Sequence, residues 1–416
     1  MKITSFSPFG YEGSMVTVEV DLRRGIPAVD LVGLADSAVK EARERMRAAI
    51  RNSNFDFPLE RVLISLSPAD VKKEGAGFDL AIALAVLQEK YRMPVSDAVE
   101  TVSKLDEQQV LVMGELELSG KVRAVRGIHA AVSTAKENGI RICIVPKENE
   151  VEASTFSEIK VLAVDSLTEA FHSLKQILSL TDTPFNKKVS TNCEKTSFHP
   201  IEPDMDFIHV KGQLPLVRAL QIAAAGSHNL IAFGPPGCGK TLALQRFQTL
   251  LPSLTLQESL PVTRIYSLAG CHPAGQSLIS VPPFRMPHQS ASLEGMIGGG
   301  PNCRPGEISL AHNGVLFLDE AGEFRTSVLQ TLRVPLEEGR VVLSRAGRKT
   351  TFPAQFQLLM ATNPCPCGNY GVADKICVCS AHAVEQYWRK FSGPLLDRVD
   401  IRVSVSAPSE LSTEES

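Results

Sequence analysis

The 416-residue chain lacks any apolar run near the about 20 residues that a membrane-crossing helix requires, which excludes a transmembrane helix within it. Its opening, MKITSFSP, does not read as a secretory signal. A charge excess of either sign is missing too: 43 Lys and Arg stand against 46 Asp and Glu, a net charge of −3. No global basic field therefore draws the chain to nucleic acid, and any such contact must come from a local patch. Internal repeats and low-complexity tracts are absent, so solenoid and fibrous architectures are excluded. Nine cysteines are present, but four sit in one tight cluster and the rest are scattered singly. That usage fits metal binding or core packing in a reducing compartment rather than a disulfide scaffold, and a cytoplasmic location is the expectation.

What is present suggests two or three domains. Residues 1–178 alternate short strands and helices and read as an α+β domain. Met15–Asp21 and Arg61–Leu66 have strand alternation with β-branched enrichment. Asp36–Ile50 predicts a helix capped by Asp36 or Ser37, with Val39, Ala42, Met46 and Ile50 along one face. Gly77–Leu87 predicts a more buried helix, Val110–Val125 a β-ribbon turning at Ser119 and Gly120, and Gly127–Gly139 a further helix. Residues 179–205 are rich in Ser, Thr, Asn, Lys and Pro without apolar periodicity and read as a linker. Residues 206–405 form a second domain of α/β character, with a helix over Val217–Ala225, and residues 406–416 form a polar tail.

The second domain carries the chemistry. Gly234, Pro235, Pro236, Gly237, Cys238, Gly239, Lys240 and Thr241 spell GPPGCGKT, which satisfies the phosphate-loop pattern G-x-x-x-x-G-K-[ST]. The apolar Asn229–Phe233 precedes it as a buried strand, and Leu242–Leu251 follows with helical spacing. Glycines let the backbone curl so that consecutive N–H groups face phosphate oxygens, and the start of the helix adds partial positive charge. Lys240 would hold the β- and γ-phosphates of ATP, and Thr241 would ligate Mg²⁺. Gly314–Glu320 is an apolar run ending in two carboxylates. Asp319 there could reach the Mg²⁺ shell and Glu320 could polarise an attacking water, or the run is a core strand ending in solvated acids. Gln357–Pro364 is another apolar strand, and Asn363 at its end could hold the nucleophilic water. Arg398, after the turn at Pro394–Leu396, suits either an arginine finger or a salt-bridged surface arginine; if it acts in trans, the working unit is an oligomer.

Two further patterns stand out. Arg340, Arg345, Arg348 and Lys349 lie in a hairpin-like stretch with no acidic residue between Glu338 and Asp374, a candidate phosphate contact or a solvated charge run. Cys365, Cys367, Cys377 and Cys379 place four soft ligands in fifteen residues, which suits structural tetrahedral zinc or four reduced structural thiols. Because C-x-C is tighter than the usual C-x-x-C, His382 is a possible replacement for one ligand.

The order of phosphate loop, Asp-Glu strand, Asn strand and Leu-Leu-Asp-Arg resembles an AAA+ ATPase. Arg304–Glu320, Phe284–His288, Gly339–Ala346 and Asn363–Gly368 resemble the magnesium-chelatase-like ComM/YifB family. That resemblance implies an ATP-driven, Mg-dependent ring, a hexamer in expectation, whose competence-associated members are DNA branch-migration helicases. By analogy, the hairpin and a mobile insertion over His272–Pro301, with Arg285, His288 and Gly298–Gly300, would face a central pore. Ser67–Leu80 with Gly114–Gly127 resembles the proteolytic domain of Lon proteases, of the ribosomal-S5-domain-2-like class. The position that matches the nucleophilic serine is Gly77, and the helix that should carry the lysine begins Gly127-Ile-His-Ala-Ala131, so the expectation is a non-catalytic Lon-like domain. Nothing after Val405 matches the helical lid of the family, and a lid-less AAA+ core is the expectation. A chelatase-type ATPase subunit, or a nucleotide-binding protein with little turnover, remain the alternative readings.

Overall fold

The computed structural model describes residues 2–91, 109–179 and 206–406, apart from Ala35, Asp70, Glu74, Lys211, Pro273, Ala274, Ala346, Ala373 and Asp374. The expected linker from Leu180 onward and the tail from Ala407 onward lie outside the described residues. Two compact units are present. One comprises Met1–Asn192 with Tyr266–Leu278, and the other Cys193–Ile265 with Ile279–Ser416. The return of the chain to the first unit at Tyr266 is marked by no composition shift.

The first unit holds a seven-stranded mixed sheet. Its strands are β1 (Lys2–Ser7), β2 (Ser14–Arg23), β3 (Val29–Val32), β4 (Arg61–Ser67), β5 (Gln109–Val112), β8 (Ile142–Pro146) and β9 (Lys160–Val164), while β6 (Glu115–Leu116) and β7 (Val122–Arg123) form a separate ribbon. The sheet order is β3-β4-β2-β1-β5-β8-β9, with antiparallel pairing on both sides of β2 and parallel pairing elsewhere. The ribbon expected over Val110–Val125 is therefore shorter. Val110, Leu111 and Val112 are buried and join the main sheet, as a continuous apolar run with both faces covered should. In the helix Ser37–Asn52, Asp36 Oδ1 accepts the N–H of Val39 at 2.8 Å, which identifies the cap. Its stripe of Val39, Ala42, Met46 and Ile50 is fully buried. The helix Asp79–Lys90 is apolar all round and buried from Asp79 to Leu87, so it lies inside the unit rather than on it. Its one buried acid, Asp79, is forked by Arg45 at 2.7 and 3.1 Å, although burial still pushes its pKa above the usual carboxylate range.

The second unit is built on a five-stranded, wholly parallel sheet in the order β11-β14-β17-β10-β18. The strands are β10 (Leu230–Phe233), β11 (Phe284–Arg285), β14 (Gly314–Leu318), β17 (Phe356–Thr362) and β18 (Ile401–Ser404); two ribbons accompany them, β12 (Gly298–Gly299) with β13 (Arg304–Pro305), and β15 (Arg340–Arg345) with β16 (Arg348–Pro353). All five residues of β14 are buried, because a parallel strand covered on both faces needs apolar side chains at every position. Leu216, Leu220 and Ala223 of the helix Leu214–Gly226 pack with Leu230, Phe317 and Leu359 in the core. The helix after the phosphate loop is α-helical only over Lys240–Gln245 and tightens to a 3₁₀ form over Arg246–Leu250. There Arg246 takes the Leu242 carbonyl at 2.8 Å and Thr249 takes the Arg246 carbonyl at 2.7 Å, removing acceptors from the regular ladder. The segment expected as a mobile insertion is also anchored in part. Phe284–Arg285 is an edge strand of the sheet, and Arg285 grips Glu307 through two bonds of 2.7 and 2.8 Å. Among the described residues no helix is long and apolar enough to cross a membrane.

Candidate functional site

The register of the parallel sheet creates the site. Phe233 pairs with Thr362, and Leu318 with Met360, so Gly234, Asn363 and Asp319 leave the sheet along one edge. This is the carboxyl end of the strands, where open α/β sheets bind ligands. An open cavity of about 370 Å³ lies there, lined by residues 236–242 with Asp319, Glu320 and residues 361–363.

The phosphate loop is held tightly. A Cβ on Gly234 would come within 2.0 Å of the Val405 carbonyl, so only glycine fits where the loop leaves β10. Gly239, at φ 83, turns the chain into the following helix in a conformation that other residues rarely adopt. Gln213, directly before the helix Leu214–Gly226, donates from Nε2 to the Cys238 carbonyl at 3.1 Å and to the Ser406 carbonyl at 2.9 Å. It thereby ties the loop to the chain that leaves β18. Gln213 belongs to no sequence motif; its signal is a buried polar side chain, and burial is not visible in one sequence.

Lys240 is buried, and its ammonium lies on the Gly234 and Pro235 carbonyls at 2.7 and 2.8 Å, with Asn363 Oδ1 at 3.5 Å. Thr241 Oγ1 donates to Asp319 Oδ1 at 3.1 Å, and the same oxygen accepts the N–H of Glu320 at 2.9 Å. Hydroxyl and carboxylate side by side are the donor set a hard divalent cation takes, and both residues line the cavity. Glu320 is exposed and has φ 49, a left-handed backbone that a non-glycine residue holds only at a cost. Five candidate residues, Lys240, Thr241, Asp319, Glu320 and Asn363, thus share one cavity. Arg398 does not line it. Its guanidinium bonds Glu337 at 2.7 Å and the Pro394 carbonyl at 3.2 Å.

The strand end carrying Asn363 runs straight into the cysteine cluster. The sulfurs of Cys365, Cys367 and Cys377 are 3.4, 3.6 and 3.8 Å apart, and the four ligand atoms including Cys379 all lie within 4.8 Å of one another. Four thiolates about 2.3 Å from one tetrahedral zinc would be spaced by about 3.8 Å, so the cluster has the dimensions of such a site. His382 is not part of it; its ring bonds Gln386 at 2.9 Å. The N–H groups of Asn369 and Val378 pull the Cys367 thiol down to about 6, whereas desolvation and the sulfurs of Cys365 and Cys367 push Cys377 and Cys379 up.

The four basic candidates fall on the ribbon of β15 and β16. Arg345 pairs with Arg348, and Ser344 with Lys349, next to the turn at Gly347. Like charges placed directly opposite are unfavourable for a ribbon by itself. Val341 and Leu343 anchor it from below, whereas Arg340 stands at the other end, paired with Glu338 at 2.9 Å.

A family model described as magnesium chelatase, subunit ChlI, matches residues 206–413, and a second, described as subunit ChlI of Mg-chelatase, matches residues 18–149. An uncharacterised protein of Mycobacterium tuberculosis (strain ATCC 25618 / H37Rv) is 42% identical, over 95% of this chain and 75% of its own. YifB of Escherichia coli (strain K12) is 40% identical, over 96% of this chain and 74% of its own. The competence protein ComM of Haemophilus influenzae (strain ATCC 51907 / DSM 11121 / KW20 / Rd) is 38% identical, over 97% of this chain and 76% of its own.

Proposed function

The chain belongs to the magnesium-chelatase-like ComM/YifB family, whose AAA+ fold implies ATPase activity, and on that premise we propose that it hydrolyses ATP to drive movement on DNA. The observation that carries the ATPase part is the convergence of Lys240, Thr241, Asp319, Glu320 and Asn363 on one cavity at the carboxyl edge of a parallel sheet. Thr241 and Asp319 would hold Mg²⁺, which when bound spreads the charge of the β- and γ-phosphates. Lys240 exchanges its loop carbonyls for phosphate oxygens. Asn363 orients the attacking water, and Glu320 accepts its proton. Arg398 is the finger offered to a neighbouring subunit's nucleotide, which makes a homo-oligomeric ring, a hexamer by family resemblance, the working form. To act there it must release Glu337, and an ion pair between partly exposed side chains is cheap to exchange.

Support for DNA comes from the β15–β16 ribbon, whose opposed Arg345 and Arg348 with Lys349 suit phosphates better than they suit one another. The Haemophilus influenzae relative is a competence protein, which supports a role in DNA uptake or recombination. The substrate would be single-stranded or branched DNA, without membrane partners. Residues 1–178 would be a non-catalytic Lon-like domain: Gly77 stands in the nucleophile position, and the helix Ile128–Glu137 carries its only lysine, Lys136, near its far end. The cysteine cluster would hold structural zinc.

The ATPase rate, with and without forked or four-way DNA, tests this reading in the wild type and in Glu320→Gln. Slow turnover stimulated by DNA, and a fall of about 10²- to 10⁴-fold in the variant with nucleotide binding kept, is the expected result. The similarity of residues 206–413 to a magnesium chelatase subunit supports a second reading, a chelatase-type subunit that drives metal insertion through a partner; ATP turnover indifferent to any DNA would favour it. Tight nucleotide binding with no turnover at all would leave a nucleotide-binding protein.

A further inference from the structure

We infer that the four-cysteine knot controls nucleotide affinity: zinc held there keeps the phosphate loop and Asn363 in register, and its removal loosens both. This rests on the zinc and ATP assignments proposed above, and it is carried by two contacts that join the knot to the nucleotide cavity.

The first contact runs along the chain. Only Pro364 separates Asn363 from the ligand Cys365. On the sheet side, Thr362 shares a 2.8 Å hydrogen bond with the Tyr387 hydroxyl; on the cysteine side, the Trp388 indole N–H donates to the Pro364 carbonyl at 3.0 Å. Asn363 is therefore suspended between a strand fixed by Tyr387 and a Pro364–Cys365 step held by Trp388 and by whatever holds the Cys365 sulfur. With zinc absent, the second of these anchors would keep the Trp388 bond but exchange the metal–sulfur bond for weak thiol contacts.

The second contact crosses space. Gly368, in the turn that follows the first pair of ligands, has φ 79 and lies against Pro236 of the phosphate loop. A Cβ there would stand 2.7 Å from Pro236 Cδ, within a rigid ring that cannot swing away. The N–H of Tyr370 reaches back to Cys365 Sγ at 3.4 Å, so the turn is also bound to a ligand sulfur. The ligand sulfur of Cys365, the turn and Pro236 are thus continuous with the loop that would carry the phosphates.

Coupling of this kind is reciprocal: if zinc tightens nucleotide binding, nucleotide must tighten zinc retention by the same factor. The test measures both directions on the whole chain. Zinc per chain is determined by elemental analysis, affinity for a fluorescent ATP analogue is titrated before and after zinc is drawn off with a chelator, and the zinc release rate is followed colorimetrically with and without ATP. The expected results are about one zinc per chain, affinity at least tenfold weaker without it, recovery on adding Zn²⁺ back, and slower zinc release in the presence of ATP. Gly368→Ala keeps all four ligands, so it should retain zinc while weakening nucleotide binding about tenfold; this variant decides the matter if metal-free protein fails to stay folded. Full zinc content, with nucleotide affinity the same in zinc-free protein and in Gly368→Ala, overturns the coupling. A chain that never holds zinc overturns the metal assignment and the coupling with it. Zinc-loaded protein that binds no ATP analogue overturns the nucleotide site instead.

Discussion

His312 offers a measurement that reports on the site from below. It is only 5% exposed, two residues before β14, and its Nδ1 accepts the Gln355 N–H at 3.1 Å, one residue before β17. It therefore clamps the feet of the two strands whose far ends carry Asp319 and Asn363. Burial lowers its pKa to about 4, from an ordinary 6.5, and outweighs the nearby Glu258 charge, which favours the protonated ring. A depressed pKa means that the folded state is favoured where the ring is neutral. Above pH 6.5 this stability is fully present. As the pH falls below 6.5 the unfolded chain takes up a proton that the folded chain refuses, and the loss accumulates until about pH 4. Linkage with these two values gives about 2 kcal/mol lost by pH 5. In urea that corresponds to a midpoint shift of about 1 M. The chain has one tryptophan, and Trp388 stands edge-on to Phe233 at 5.8 Å in the second unit, so its fluorescence follows that unit alone. His312→Asn, whose amide can still accept the Gln355 N–H, should cost about 1–2 kcal/mol at pH 7.5 but flatten the decline between pH 7.5 and 5 by about 2 kcal/mol. An equally steep decline in wild type and variant would refute the assignment.

Two further outcomes bear on the proposed activity. Lys240→Ala should weaken ATP-analogue binding by at least about 100-fold, since a charge-assisted contact to phosphate is lost, with circular dichroism unchanged. Titration calorimetry showing unaltered affinity would remove the lysine from its role. Arg345→Glu with Lys349→Glu should weaken binding to single-stranded DNA and flatten its dependence on salt, by about 0.7 in logarithmic slope for each phosphate contact removed, while leaving DNA-independent ATP turnover alone. An unchanged salt slope would take the ribbon out of the DNA interface.

Why some features were legible and others were not has a physical basis. Buried parallel strands must be apolar at each position, so Leu230–Phe233, Gly314–Leu318 and Phe356–Thr362 were conspicuous as runs. The carboxyl end of each run named a residue that the fold brings to one edge. The reading failed where a run alone cannot tell a central strand from a ribbon, as at Val110–Val112, and where side chains override helical periodicity, as at Arg246 and Thr249. It had no access to pairings between distant positions. Glu337 and Arg398 are 61 residues apart, and Gly368 meets Pro236 only because two loops leave neighbouring strands. Glu337 and Gly368 are ordinary in sequence and acquire meaning through their partners.

The pair of hydrogen bonds donated by Gln213 has a mechanical consequence. Its amide holds the carbonyls of Cys238 and Ser406 at once, while the Val405 carbonyl closes off the space over Gly234. The bed of the phosphates is thus stitched to the stretch of chain that leaves β18. Tension applied downstream of Ser406 would be delivered to the triphosphate cradle through two or three stiff links, and a change in the cradle would be felt there in return.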